Sequence, residues 1–264
     1  MAGEVTIMPK IYTNPSQIRL ITDSQRTGAT TEGNLSNIFD GTKYTFYQTD
    51  SAGTSGVLEF VINLVNTETV DTIYLIGQNI STVRVDEFGC DYVTNPTFND
   101  RVVSLGTTAS PISTQILTLQ CTRTSGATDI RIYQILVMSH LLDLNQSDTR
   151  VITRFNTVRQ IRNAFVQEDL YGSRTLQTGH INNPKKRINY QMWQNANTLS
   201  EARSELNRVY DIQRQNPNFT LWDLDEPNSQ DYESVFPAFW VPNSFTELLQ
   251  GTQAISYALS VEEQ

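Results

Sequence analysis

The chain has 264 residues, a formal net charge of −9 and an isoelectric point near 4.7, a length that suits one large or two medium domains with a sizeable core. The acidic balance argues against a general binder of nucleic acid or of anionic membranes, because both partners are negatively charged. No apolar run approaches the ~18 residues of a membrane helix. The N-terminal MAGEVTIMPK lacks a signal-peptide pattern, so we expect synthesis in the cytosol.

The cysteines and histidines do not form a metal-binding pattern. Cys90 and Cys121 are the only cysteines, and His140 and His180 have no ligand spacing with them or with each other. Without an export signal the two thiols are predicted to be buried and reduced, and a Cys90–Cys121 disulfide is the alternative. No metal and no cofactor is expected.

The pattern of residues 10–143 predicts a series of short strands. In GVLEFVINL, Leu58, Phe60, Ile62 and Leu64 recur every second residue and therefore share one face of a strand. The segments DTIYLIG, TVRVDEF, QILTLQC and DIRIYQILVM follow, separated by turn-rich stretches. This spacing predicts a mainly β fold, with a β-sandwich jelly roll over residues 1–143.

Residues 144–264 predict a smaller α+β module with one amphipathic helix packed on a sheet. Thr198 and Glu201 form a capping box, and Pro217 prevents the helix from continuing. The apolar positions of that helix repeat at a spacing of three and four residues: Leu199, Ala202, Leu206, Val209 and Tyr210.

The strands of this module are predicted from alternation. SRTLQTG and RINYQMWQ are interpreted as a hairpin of two paired strands joined by HINNPKK, NFTLWDL as a further strand, and AISYALSVEEQ as a last strand with an apolar face. RVITRFNTVRQIRNAF fits either a helical face or a strand, and we favour an extended arm or strand.

Charge is divided unevenly within residues 144–264. Residues 150–187 hold eight Lys or Arg against two acidic residues, whereas residues 188–264 hold three Arg against eleven acidic residues. Both bands are consistent with solvated faces. The alternative is a basic face of one copy that meets an acidic face of the next in a ring-like homo-oligomer. The candidate assembly residues are Arg154, Arg159, Arg162, Lys185, Lys186, Arg187, Tyr257 and Leu259.

Catalytic motifs are missing from the sequence. It contains no G-x-S-x-G, H-E-x-x-H, Walker or G-x-G-x-x-G motif. Asp223, Asp225 and Glu226 could serve a carboxylate-based glycosidase, but an acidic exposed turn is the simpler interpretation. We therefore expect a protein that is not an enzyme and assign no catalytic residue.

The segment NIFDGTKYTFY resembles the N-x-x-D-G-x-x-x-T-x-W signature of discoidin-like, galactose-binding-like jelly rolls. Asn37, Asp40, Gly41 and Thr45 match it, and Tyr47 stands where the family usually has Trp. The resemblance implies a loop that seals a sandwich corner or, alternatively, holds a sugar or a calcium ion. The candidate ligand-binding residues are Asp40, Tyr44, Tyr47 and Asp50.

VDTIYLIGQNISTVRV resembles a pattern found in virion proteins of tailed bacteriophages, matched here by Gly77, Asn79 and Ser81. Residues 144–264 are similar to tail-tube-like ring modules. The resemblance implies a structural component of a phage tail, baseplate or neck, located in the virion. It would assemble with itself and with other virion proteins, and present its jelly roll outward.

The alternative is a carbohydrate-binding protein that recognises a host surface glycan. Neither alternative involves a nucleic acid or a membrane as a partner.

Overall fold

The computed structural model describes residues 9–23, 31–40, 45–50, 56–93, 102–106, 110–144, 150–160, 164–168, 174–178, 185–195, 199–223, 235–242, 246–250 and 254–263. They form two compact units, one mainly of Tyr12–Leu141 and the other mainly of Leu142–Asp225 and Phe236–Gln264. The fold is mainly β with several antiparallel sheets and, in the part described, a single α-helix. The predicted fold class is confirmed.

The strands follow one another along the chain at short intervals. In the N-terminal half they are β1 Lys10–Tyr12, β2 Ile18–Asp23, β3 Thr31–Glu32, β4 Tyr47–Thr49, β5 Val57–Val70, β6 Thr72–Gln78, β7 Ile80–Val85, β8 Cys90–Val93, β9 Val102–Gly106, β10 Ile112–Arg123, β11 Ile130–Met138 and β12 His140–Asp143. In the C-terminal half they are β13 Arg150–Gln160, β14 Ala164–Glu168, β15 Arg174–Thr178, β16 Lys185–Asn195, then helix α1 Leu199–Gln215, then β17 Asn218–Trp222, β18 Val235–Trp240, β19 Thr246–Gln250 and β20 Ala254–Glu263.

The N-terminal unit is a sandwich of two five-stranded antiparallel sheets. Their strand orders are β2-β5-β10-β7-β8 and β3-β4-β11-β6-β9. Leu58, Phe60, Ile62 and Leu64 on β5 are all fully buried, as the alternation predicts. They belong to one apolar core with residues of the facing sheet, such as Ile132 on β11, because each sheet turns every second side chain inward.

Cys121 on β10 lies in this core as a free thiol. Burial removes the water that would solvate a thiolate, and this raises the pKa of Cys121 to about 12. The prediction of a buried reduced thiol is confirmed for Cys121. The side chain of Cys90 lies outside the described residues.

The C-terminal unit is built on a large sheet of order β12-β1-β17-β18-β20-β16-β13, with β19 also paired to β20. Helix α1 packs on β16 and β20 and buries Leu206 and Val209. Tyr210 is 39% exposed instead of buried, because it follows Val209 directly and is rotated about 100° from it around the helix axis. Thr198 of the predicted capping box lies outside the described residues.

Strand pairing in this unit differs from the predicted hairpin. β15 pairs with β14, and β16 lies between β13 and β20. The prediction that SRTLQTG and RINYQMWQ pair is therefore wrong. Alternation identified the strands but carried no information about the partner of each. The ambiguous segment at 150–160 is a strand.

The apolar face of β20 is covered within the chain itself. Tyr257 and Leu259 are each 1% exposed and stand directly opposite Met192 and Tyr190 on β16. Helix α1 contacts both strands. The prediction that Tyr257 and Leu259 form an assembly surface is wrong, because the core of the unit already buries them.

Candidate ligand-binding face

The loop between β3 and β4 is tied together by the residues of the jelly-roll signature. Within it, the short 3₁₀ helix Leu35–Phe39 begins at Asn34, whose Oδ1 accepts a hydrogen bond from the Ser36 amide. Asn37 Nδ2 donates to the Phe46 carbonyl at 3.0 Å, and Thr45 Oγ1 donates to Asp40 Oδ2 at 2.8 Å. The bonds of Asn37 and of the Asp40–Thr45 pair join the two ends of the loop, which is the structural role that the signature implies.

Gly33 lets the two ends of the loop approach closely. Its φ is +79°, and a Cβ atom placed on it would lie 2.2 Å from the Phe46 carbonyl oxygen. Only glycine tolerates both the left-handed backbone and this contact. Gly33 therefore fixes the position of Phe46, the residue directly before β4.

Tyr47 is a core residue and cannot stack on a sugar. It is 1% exposed, its hydroxyl donates to Asp23 Oδ2 at 2.9 Å, and its ring meets Phe60 edge-on at 6.3 Å between centroids. The prediction of Tyr47 as a ligand contact is wrong.

Two of the other predicted ligand residues, Asp40 and Asp50, lie in the described part of the chain. Asp40 and Asp50 are both exposed, Asp40 bonded to Thr45 and Asp50 directly after the last residue of β4. Gly41 and Tyr44 lie outside the described residues. In the part of the chain that the structure describes, no cluster of three His, Cys, Asp or Glu side chains is arranged to hold a metal ion.

The outer face of the second sheet carries a row of polar side chains across three strands. Arg131 on β11 stands directly opposite Gln48 on β4 and directly opposite Gln78 on β6. Directly opposed residues of antiparallel strands point to the same side. Their neighbours Tyr47 and Ile132 point inward and are buried, so the row Gln48–Arg131–Gln78 faces outward.

Two aromatic rings lie beside this row. The guanidinium carbon of Arg131 is 4.5 Å from the centre of the Phe46 ring, and Phe46 meets Tyr133 edge-on at 6.0 Å. Arg131 Nε donates to Gln48 Oε1 at 2.7 Å, and its Nη2 donates to the same oxygen. The Tyr133 hydroxyl donates to Gln78 Oε1 at 3.1 Å. We call Phe46, Gln48, Gln78, Arg131 and Tyr133 the outer-face cluster. All five are partly exposed.

A β-bulge lies at Tyr133 on β11. The pairing of β11 with β6 shifts between Ile132, opposite Gly77, and Gln134, opposite Ile76, so Tyr133 is the extra residue. Tyr133 lies two positions after Arg131, and the alternation of the strand puts both side chains on the outer face. A Cβ atom on Gly77 would lie 2.6 Å from Ile80 Cδ1 and 3.1 Å from the Arg131 carbonyl oxygen, so a glycine here permits close packing under the cluster.

The remaining residues of the virion-like pattern have local structural roles. Asn79 adopts a φ of 63° in the turn after β6 and donates from Nδ2 to Asp129 Oδ1 at 3.0 Å. Ser81 Oγ donates to the Thr122 carbonyl at 3.2 Å. The bond of Asn79 holds the β6–β7 connection to the loop before β11, and the bond of Ser81 joins β7 to β10.

The acidic residues considered for glycoside hydrolysis do not form a described site. Asp223 is only 5% exposed and accepts a hydrogen bond from the Tyr190 hydroxyl at 3.3 Å. The prediction that Asp223 lies in an exposed turn is wrong. Asp225 and Glu226 lie outside the described residues.

The candidate assembly residues of the basic band, apart from Arg162, lie on β13 and β16. The Lys186 amide donates to Glu263 Oε2 at 3.0 Å, and Arg187 stands opposite Glu262. Arg154 and Arg159 lie on β13, opposite Tyr190 and Lys186, and Lys185 lies opposite Gln160. Arg162 lies outside the described residues. The described helix is too short and too polar to cross a membrane.

Comparison with known proteins gives matches among solved structures alone, since no family model and no curated protein matches the chain. CBM32 of AlyQ, solved in complex with 4,5-unsaturated mannuronic acid, is 15% identical, covers 47% of this chain and 96% of its own, and has a TM-score of 0.34. The family 32 CBM from Clostridium perfringens NanJ, in complex with galactose, is 16% identical over 46% of this chain and 100% of its own, with a TM-score of 0.31.

A third match has a different kind of partner. Reduced XRCC1, bound to the DNA pol beta catalytic domain, is 12% identical over 48% of this chain and 98% of the matched chain, with a TM-score of 0.35. Likeness at these values does not extend to function, since one sandwich architecture serves many activities.

Proposed function

We propose that this chain is a non-enzymatic glycan-binding protein that recognises its ligand through the outer-face cluster. The observation that supports this proposal is the arrangement of Phe46 and Tyr133 beside the row Gln48–Arg131–Gln78.

The chemistry of the cluster matches the two kinds of surface that a sugar ring presents. A pyranose has C–H groups on its flat faces, which pack on aromatic rings, and hydroxyl groups at its edge, which donate and accept hydrogen bonds. Phe46 and Tyr133 offer the rings, and Gln48, Gln78 and Arg131 offer the polar groups. The mutual hydrogen bonds among them hold these groups in place before a ligand arrives, which lowers the entropy cost of binding.

A glycan array followed by isothermal titration calorimetry tests the proposal. Phe46→Ala and Tyr133→Ala are each expected to weaken binding of the selected glycan by about tenfold or more, because a central aromatic contact of a binding site costs about 2 kcal/mol or more when it is truncated. Ile116→Ala is the matched control, since Ile116 is a 50% exposed apolar residue on the other sheet. An array with no binder, or equal binding by all three variants, would contradict the proposal.

Self-association is a second candidate, and the position of β13 favours it. This 11-residue strand ends the larger sheet, and in the described part of the chain it pairs on one side, with β16. A long edge strand is a template for pairing with another chain. We infer that β13, which carries Arg150, Arg154 and Arg159, is where copies of the chain would meet in a ring-like assembly in a virion.

Light scattering coupled to size-exclusion chromatography tests this second candidate. Replacing Val158 in β13 with Pro, which cannot donate to a sheet ladder, is expected to shift an oligomer to monomer. A wild-type chain that stays monomeric at high concentration rules out self-association through β13.

A further inference from the structure

Arg131 carries a positive charge without a negative partner in the described part of the chain. Its guanidinium contacts the Phe46 ring and the neutral amide oxygen of Gln48. Arg84, which lies on the other sheet, provides the contrast, because its Nε donates to Asp86 Oδ1 at 2.8 Å in an ion pair. The two arginines are both on strands, but only Arg84 is seen with a carboxylate.

The guanidinium of Arg131, which Phe46 and Gln48 hold in place, keeps N–H groups that can donate to a ligand. Two of its N–H groups point to Gln48 Oε1, and a guanidinium has five, so three remain. The Phe46 ring and Gln48 restrict its orientation, so little further ordering is needed when a ligand binds. The chain as a whole has a net charge of −9, which repels anions, so binding of an anionic group at this place depends on the local positive charge of Arg131.

We propose that the outer-face cluster is specific for a sugar that bears a carboxylate, with that carboxylate on Arg131. This inference rests on the proposed glycan-binding function and names the ligand class of the same site. A carboxylate is the planar anion that a guanidinium binds with two parallel hydrogen bonds. The ring of the same sugar residue packs on Phe46 or Tyr133, and its hydroxyls reach Gln48 or Gln78.

Pairs of glycans that differ mainly in the acidic group test the inference. The probes are oligogalacturonate beside its methyl ester, and sialyllactose beside its methyl ester. The acidic member of at least one pair is expected to bind about tenfold more tightly, since a hydrogen bond to a charged group contributes roughly 1.5–3 kcal/mol. Its affinity is expected to fall with added NaCl, and that of the neutral member to stay constant.

Two variants with the same change in net charge show whether Arg131 causes the preference for the acidic glycan. Arg131→Gln is expected to abolish the preference for the acidic member, and Arg84→Gln, which changes the net charge equally, is expected to keep it. Circular dichroism shows whether each variant is folded. If Arg131→Gln is unfolded, the salt dependence of the wild-type chain decides between the outcomes.

The outcomes separate this inference from the proposed function. Equal binding of acidic and neutral members, lost in Phe46→Ala, overturns the carboxylate preference and leaves glycan binding in place. Binding of the acidic member that is unaffected by Arg131→Gln also overturns it. No binding of any glycan overturns both.

Discussion

The Tyr47 hydroxyl donates a hydrogen bond of 2.9 Å to Asp23 Oδ2 inside the sandwich, joining β4 of one sheet to β2 of the other. Asp23 is only 9% exposed and Tyr47 only 1%, so water does not easily replace either partner. This bond shows that the aromatic residue of the jelly-roll signature supports the fold and not the ligand.

Tyr47→Phe is expected to destabilise the sandwich by about 1–3 kcal/mol, because it removes the hydroxyl from a buried carboxylate. Glycan affinity is expected to stay unchanged. The three tryptophans are Trp193, Trp222 and Trp240, so their fluorescence follows the other unit. Urea-dependent labelling of Cys121, read by mass spectrometry, follows the sandwich. Weakened glycan binding at full stability would contradict this role for Tyr47.

Gly33→Ala is expected to destabilise the sandwich by more than the ~1–2 kcal/mol that left-handed backbone alone costs, because the new methyl group overlaps the Phe46 carbonyl oxygen. It is also expected to displace Phe46 and weaken glycan binding. Gly126→Ala is the control, since Gly126 has a φ of +86° but nothing within 4 Å of a Cβ atom. Equal losses in the two variants would show that the overlap is relieved without cost.

The Cys121 thiol is expected to resist thiol reagents at neutral pH until the sandwich unfolds, since the thiolate is the reactive form and burial raises the pKa of Cys121 to about 12. Above the ordinary pKa of 9.0, the unfolded chain releases a proton that the folded chain keeps. Stability from this group is therefore expected to fall as pH rises from 9 toward 12, by up to about 1.4 kcal/mol per pH unit.

The difference in unfolding free energy between wild type and Cys121→Ala isolates this effect from other groups that titrate in alkali. That difference is expected to change above pH 9. A difference that stays flat to pH 11 would mean that Cys121 reaches water in the folded protein.

Leu206→Ala is expected to destabilise the C-terminal unit by about 2–5 kcal/mol, because a buried leucine is replaced by a cavity. Leu206 is 2% exposed under α1, whereas Tyr210 on the same helix is 39% exposed. Tyr210→Ala is therefore expected to cost less than about 1 kcal/mol. Urea titration followed by tryptophan fluorescence measures both, and similar losses would mean that α1 packs through a different face.

Alternation and helical spacing predicted the elements well, because burial of one face is a local property of the sequence. The inward face of β5, the strand β20 and the helix before Pro217 follow from it. The partner of each strand is not a local property, so the pairing of β15 with β14 in place of β16 was missed. Tyr257 and Leu259 were correctly predicted to need cover, but their own helix supplies it.

The candidate site was missed for a related reason. Arg131 and Tyr133 are ordinary outward positions of a strand in the sequence, and only the pairing of β11 with β4 and β6 brings them beside Phe46, Gln48 and Gln78. One available signal was Arg131, an arginine between two isoleucines of a core strand. The signature loop drew attention to Tyr47, which lies next to Gln48 but on the opposite face of β4.

The row Gln48–Arg131–Gln78 joins residues that are far apart in sequence, and Gln48 and Arg131 are 83 positions apart. No synthetic peptide or proteolytic fragment that lacks either β4 or β11 contains the row. Ligand binding at the proposed site would therefore require a folded chain in which β4 and β11 are paired. An antibody raised against this surface is expected to see native protein and to fail on a denaturing blot.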